Sequence, residues 1–252
     1  HMGGANYLDG KTISLDQMQR ALLDNPSLNV TTSAPTENQL IEYFYQLIKE
    51  DVQEVLIICL SSSLSQTYNN LLNISSMFSH RMKIYLYDSR TISHGEAVMV
   101  LEASKLLNQG ATMPEIITQI TALRQKMTIY MTVDNLKTMI RTKRISAPAG
   151  FFANLFDIKP IVYLNDSGRI VPFEKVRSFD KCIRRLAEIV VDEVKGKKGQ
   201  MYLASGQLNP YIKPLTMHLA QRGYADLPVM PIASVSLANI GVFALGVIFI
   251  ED

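Results

Sequence analysis

The chain has 252 residues, of which 47% are hydrophobic and 19% charged, with a formal net charge of +2. That composition excludes a disordered polar chain, and the length accommodates one large domain or two modest ones. The near balance of 25 basic and 23 acidic residues points to no nucleic acid, and the most apolar stretch, Ile240 to Ile250, is too short to cross a bilayer.

The first two residues, His1-Met2, read as a remnant of cloning. Thr36-x-x-Gln39 has capping-box spacing, and Leu40, Ile41, Phe44, Leu47 and Ile48 form one apolar helical face behind it. Glu54 to Leu60 is a continuous apolar run of strand length, as expected for a strand covered on both faces. The hydroxyl-rich turn Ser61 to Ser65 leads into a helix carrying Tyr68, Leu71, Leu72 and Phe78. Met82 to Tyr87 is the next strand, Ala97 to Leu107 the next helix, and Glu115 to Lys126 a third helix before a strand at Thr128 to Val133. This alternation implies a parallel sheet.

After Pro148 the pattern changes. Ile161 to Leu164 and Ile170 to Val176 read as a hairpin turning at Asn165-Asp-Ser-Gly168. An amphipathic helix follows with Phe179, Cys182, Ile183, Leu186, Ala187 and Val190 on one face. A strand at Met201 to Ala204, a helix at Pro210 to Gln221, and strands at Val229 to Val235 and Val242 to Ile250 complete the chain. The expected architecture is α/β with two domains: residues 1–147 with a parallel α/β/α sheet, and residues 148–252 with a mixed sheet.

Cys59 and Cys182 lie far apart in apolar surroundings, which suits buried thiols in a reducing cytoplasm. His80, His94 and His218 have no Cys or His at ligand spacing, so no metal site is expected. The chain lacks G-x-G-x-x-G after a strand, a Walker sequence and a G-x-S-x-G elbow. It does carry two hydroxyl clusters, Thr31-Thr32-Ser33 and Ser61 to Thr67, each just before a helix. Free amides and the helix dipole favour an anion at such a place, and the second cluster leaves the carboxyl end of a strand, where open α/β sheets bind ligands. Ser and Thr before helices also serve as plain caps. Arg141, Lys143 and Arg144 read either as a solvated basic turn or as groups facing the same ligand.

Several segments together resemble the DegV family, whose members include the fatty-acid-binding subunits of bacterial fatty acid kinase. They are Tyr7-Leu-Asp-Gly10, Thr32-Ser-Ala-Pro-Thr36 for a TSQPS-like motif, and Ser61-Ser-Ser-Leu-Ser-Gln-Thr-Tyr68 for an SSxLSGTY-like motif. Asp88-Ser89, Ser93-His-Gly95, Arg144-Ile-Ser146, Ile158-Lys-Pro160, Asp166 to Pro172 and Lys175 to Ser178 follow in order, covering essentially the whole chain.

The resemblance implies the two-domain EDD fold and a long-chain fatty acid in an interior tunnel, its carboxylate near the interdomain cleft. The family's carboxylate-binding Thr and Ser map to Thr32 and, within one residue, Ser62, with Arg144 nearby; Ser33, Ser65 and Asn239 complete the expected set. Such proteins are not catalysts and need no cofactor. They work in the cytoplasm, without stable membrane insertion, and present the acyl group to a separate ATP-dependent kinase that makes acyl phosphate. An enzyme acting on a small anionic metabolite, or a regulatory lipid binder without kinase coupling, are the alternatives.

The chain also departs from the family pattern. The family's N-terminal strand and TDSxxD-like motif are expected to be missing before Tyr7. The HxGxG-like motif corresponds to Asn239-Ile-Gly241-Val-Phe243, with Asn for His and Phe for the second Gly, and Phe243 is expected to crowd the approach. Gln66 and Lys143 stand where glycines are common, and Ala97 replaces another.

Overall fold

Two capping boxes open the first helices. Ser14 accepts from the Gln17 amide while the Gln17 side chain accepts from the Ser14 amide, and α1 follows over Leu15–Asp24. Thr36 and Gln39 repeat the exchange before α2, Glu37–Lys49, as the sequence predicts. Each box satisfies donors that a helix start otherwise leaves open. The computed structural model of the chain describes residues 1–133, 136–146, 151 and 158–252.

After α2 come β1 (Glu54–Cys59), α3 (Thr67–Ser75), β2 (Lys83–Asp88), α4 (His94–Asn108) and α5 (Met113–Gln125). Strands β1 and β2 pair in parallel, in a register that sets Ile57 beside Leu86 and Cys59 beside Asp88. Successive strand residues face opposite ways. Val55, Ile57, Cys59, Ile84 and Leu86 therefore share the face that packs on Leu40, Phe44, Leu47, Leu71 and Phe78 of the α2 and α3 side. Phe44 and Phe78 stack there at 4.8 Å between ring centroids. On the opposite face the Tyr87 hydroxyl meets Thr121 of α5 at 2.9 Å. Helices thus pack on both faces of a two-stranded parallel sheet.

The remaining elements are β3 (Met127–Thr132), α6 (Leu136–Arg141), β4 (Lys159–Leu164), β5 (Ile170–Val176), α7 (Phe179–Glu193), β6 (Gly199–Ser205), α8 (Ile212–Ala220), β7 (Val229–Pro231), α9 (Ser234–Ile240) and β8 (Leu245–Glu251). Six strands form one mixed sheet in the order β5-β4-β3-β8-β6-β7. Only β6 and β7 run parallel; the other neighbours are antiparallel. Tyr130, Ile161, Leu203, Val247 and Phe249 of this sheet pack against Cys182, Ile183, Leu186, Val190, Leu215 and Leu219 of α7 and α8. The amphipathic face read from residues 179–190 is thus the main apolar face of the core.

Two expectations change. The strand at Thr128 to Val133 joins the mixed sheet and not a parallel one, because β3 is hydrogen-bonded between β4 and β8. The strand expected at Val229 to Val235 is short, and its last residues begin α9. The contacts divide the chain into one unit of His1–Thr32, Lys126–Asn165 and Arg169–Asp252 and another of Ser33–Gln125 with Asp166–Gly168. The boundary expected between residues 147 and 148 lies outside the described residues.

Candidate functional site

Three of the expected site residues meet in the first unit. Arg144 follows α6 after a turn in which Lys143 adopts φ +55 and the Arg144 amide bonds back to Met139 O at 2.9 Å. Asn239 lies in the last turn of α9, which ends at Gly241 with φ +96, a conformation that glycine adopts without cost. Arg144 Nη2 donates to Thr32 Oγ1 at 3.3 Å, and Asn239 Nδ2 donates to the same oxygen at 3.1 Å and to Val235 O at 2.7 Å.

A hydroxyl has two lone pairs and one hydrogen. Both acceptor sites of Thr32 are filled by these donors, so its hydrogen is left to point at something else. Neighbouring Arg144 is half-buried, burial pulls its pKa below the usual arginine value, and it forms no ion pair among the described residues. A desolvated cation without a counter-charge is costly until an anion arrives. Arg141 and Lys143 are exposed, with Arg141 bonded to Asn29 at 2.8 Å. Arg144 alone of that basic turn joins Thr32. Phe243 packs edge-on against Tyr211 at 5.8 Å.

The serine cluster lies in the second unit, between β1 and α3, and its hydroxyls are occupied differently. Ser61, fully buried, donates to Gly168 O at 2.7 Å, and Ser63 donates to Ser167 O at 3.2 Å. These two bonds tie the SSxLS-like segment to the Asp-Ser-Gly turn. A side chain at Gly168 would meet Ser61 Oγ at 2.3 Å, and φ there is +73. Ser62 donates its hydroxyl to Asp88, whose other oxygen accepts from the Ser62 amide at 3.1 Å. Ser65 accepts from the Thr67 amide at 3.2 Å, a turn contact just before α3, whose N-cap residue Gln66 makes no side-chain cap bond. Ser33 is exposed and makes no side-chain hydrogen bond among the described residues.

Cys59 and Cys182 are free and buried. Burial first, then the charges of Glu96 and Asp88, push the Cys59 thiol up to about 12. Glu96, desolvated near the start of α4, is itself pushed up to about 7. Among the described residues no group of His, Cys, Asp and Glu could hold a metal ion, and no helix is long and apolar enough to cross a membrane.

Asp88 is the residue that sequence reasoning did not place at this site. Its position as the last residue of β2, in register with Cys59, sets it beside the turn that leaves β1, and the βα alternation carried that signal.

The description "uncharacterised protein, DegV family" belongs to the family model that matches residues 1–252. A DegV domain-containing protein of Clostridium acetobutylicum is 32% identical over 201 residues, 79% of this chain and 70% of that protein. Among solved structures, a fatty-acid-binding DegV family protein from Streptococcus agalactiae superposes with a TM-score of 0.86 at 24% identity, covering 99% of this chain and 88% of that one. DegV, a fatty-acid-binding protein from Bacillus subtilis, superposes at 0.84 with 23% identity, over 100% and 89% of the two chains. With its whole length matched by the family model and a relative at 32% identity, the chain belongs to the DegV family.

Proposed function

We propose that this protein binds a long-chain fatty acid and is a carrier, not a catalyst. The observation that carries this reading is Thr32, whose oxygen accepts from Arg144 and Asn239 and whose hydrogen has no acceptor among the described residues, leaving it to a carboxyl group. Arg144 supplies a positive charge that is not already neutralised among the described residues. The fatty-acid binding named for the Streptococcus agalactiae and Bacillus subtilis proteins supports the same ligand class. Burying roughly fourteen methylenes at about 0.8 kcal/mol each is on the order of 11 kcal/mol gross, enough for tight binding after association costs.

In this reading the acyl carboxyl group is handed to a separate ATP-dependent kinase in the cytoplasm, which forms the acyl phosphate. Denaturing extraction of the purified protein followed by mass spectrometry tests the binding. A long-chain acid near one per chain is expected, and a protein that is empty and takes up no acid on incubation would sink the proposal. Acyl phosphate formation with the cognate kinase tests the handover separately.

A further inference from the structure

Asn239 holds Thr32 with one half of its amide. Both Nδ2 hydrogens are committed, to Thr32 Oγ1 at 3.1 Å and to Val235 O at 2.7 Å. These bonds fix which end of the amide is which, because turning it over would set two acceptor oxygens 2.7 Å apart at Val235. The other half is a carbonyl oxygen, Oδ1, that accepts from no donor among the described residues. Although Asn239 as a whole is buried, Oδ1 is not sealed from solvent. The oxygen and nitrogen of an amide lie about 2.2 Å apart. With 3.1 Å from Nδ2 to Thr32 Oγ1, the open oxygen stands within about 5.3 Å of that hydroxyl.

We infer that Asn239 Oδ1 is the acceptor for a hydroxyl that the ligand carries close to its carboxyl group, so that the preferred ligand is a long-chain fatty acid hydroxylated at carbon 2 or carbon 3. This deepens the fatty-acid reading above and rests on it. The three side chains, all in the first unit, divide by polarity. Thr32 offers a hydrogen that has no acceptor among the described residues, and Arg144 offers a charge. Both suit an ionised carboxylate, which only accepts. Oδ1 also only accepts, so a carboxylate oxygen beside it is repelled, and the group that meets it has to bring a hydrogen. A neighbouring guanidinium favours the ionised form of the carboxyl group, which removes the acid's own proton and leaves a separate O–H as the donor. A hydroxyl on carbon 2 or 3 sits beside the carboxylate, and a span within about 5.3 Å takes the two groups side by side. A hydroxyl at the far end of the chain does not reach.

Calorimetric titration of the lipid-free full chain with palmitate, 2-hydroxypalmitate, 3-hydroxypalmitate and 16-hydroxypalmitate is the measurement. At least one of the two acids with a near hydroxyl should bind about three- to tenfold tighter than palmitate, the worth of one neutral hydrogen bond. The 16-hydroxy acid should show no such gain. Asn239→Leu keeps nearly the same shape without the acceptor, and should bring the favoured acid to within about twofold of palmitate. The wild-type chain decides the matter by itself if Asn239→Leu does not fold. A wild-type gain below about twofold, a gain shared by 16-hydroxypalmitate, or a preference that survives in folded Asn239→Leu each overturns the inference and leaves the fatty-acid reading standing. A wild-type chain that takes up none of the four acids overturns that reading, and this inference with it.

Discussion

Thr32 and Asn239, 207 residues apart in sequence, are joined by a hydrogen bond of 3.1 Å from the Asn239 amide to the Thr32 hydroxyl oxygen. Arg144 adds a second donor to the same oxygen. The trio comes from a loop before α2, a turn after α6 and the end of α9, three elements distant in sequence that meet at the Thr32 hydroxyl. Their common product is a hydroxyl whose hydrogen has no acceptor among the described residues. Thr32→Val keeps the shape, removes that hydrogen and leaves Arg144 and Asn239 without their acceptor. The expected outcome is a loss of palmitate affinity of tenfold or more, at about 1.5–3 kcal/mol for a hydrogen bond to a charged group. Thr32→Ser should restore most of it, and calorimetric titration of both variants checks this.

Gly168 is where the Asp-Ser-Gly turn meets the serine cluster. Its φ of +73 is unfavourable for any other residue, and a Cβ would stand 2.3 Å from Ser61 Oγ and 2.8 Å from Arg90 Cα. Gly168→Ala should therefore break the Ser61–Gly168 bond as well as strain the turn. A loss of about 2–4 kcal/mol in unfolding free energy is expected from the buried bond and the left-handed backbone together. Urea unfolding followed by circular dichroism measures it, and a change under about 0.5 kcal/mol would mean that the turn relaxes without cost.

What the sequence made legible was local. The Thr36–Gln39 box, the Asn165–Gly168 turn and the face Cys182, Ile183, Leu186 and Val190 are each set by neighbours within a few residues. Partnership across the chain was not legible in that way: β3 reads like a strand of the preceding βα series, yet its edges are taken by β4 and β8. The apolar β-branched run from Val229 reads as one strand, but pairing with β6 stops at Pro231, and Ser234 onward forms α9. Asn239 was therefore identified by its motif without the helix that aims it. The motif leads one to expect a ligand-facing hydroxyl at Ser62, whereas its bond to Asp88 depends on strand register, which residue type alone does not give.

Lys143, in the turn after α6, adopts φ +55. A side chain there costs roughly 1–2 kcal/mol by steric conflict with the backbone, offset by the greater chain entropy that glycine brings to the unfolded state. Lys143→Gly should stabilise the protein by about 0.5–1 kcal/mol net. Because Lys143 is exposed and Arg144 keeps its amide bond to Met139, fatty-acid affinity should stay unchanged. Thermal unfolding and a palmitate titration on the same sample separate the two effects.

Glu96 gives the protein a dependence of stability on pH with a definite sign. Burial raises its carboxyl from an ordinary value of 4.5 to about 7 in the folded state, so between those values the folded chain binds more protons than the unfolded one. Stability then falls as pH rises through that window, because the slope of unfolding free energy follows the protons bound in the unfolded state minus those in the folded state. The full shift would correspond to about 3 kcal/mol, reduced to about 2 kcal/mol or less by the partial exposure of the group. Glu96→Gln stays neutral throughout and should remove this part of the slope. Wild-type and Glu96→Gln proteins should therefore have similar urea midpoints at the acid end of the window and differ above it, the variant being the more stable. Parallel midpoint curves across the whole range would show that Glu96 is solvated and ionised like a surface carboxylate.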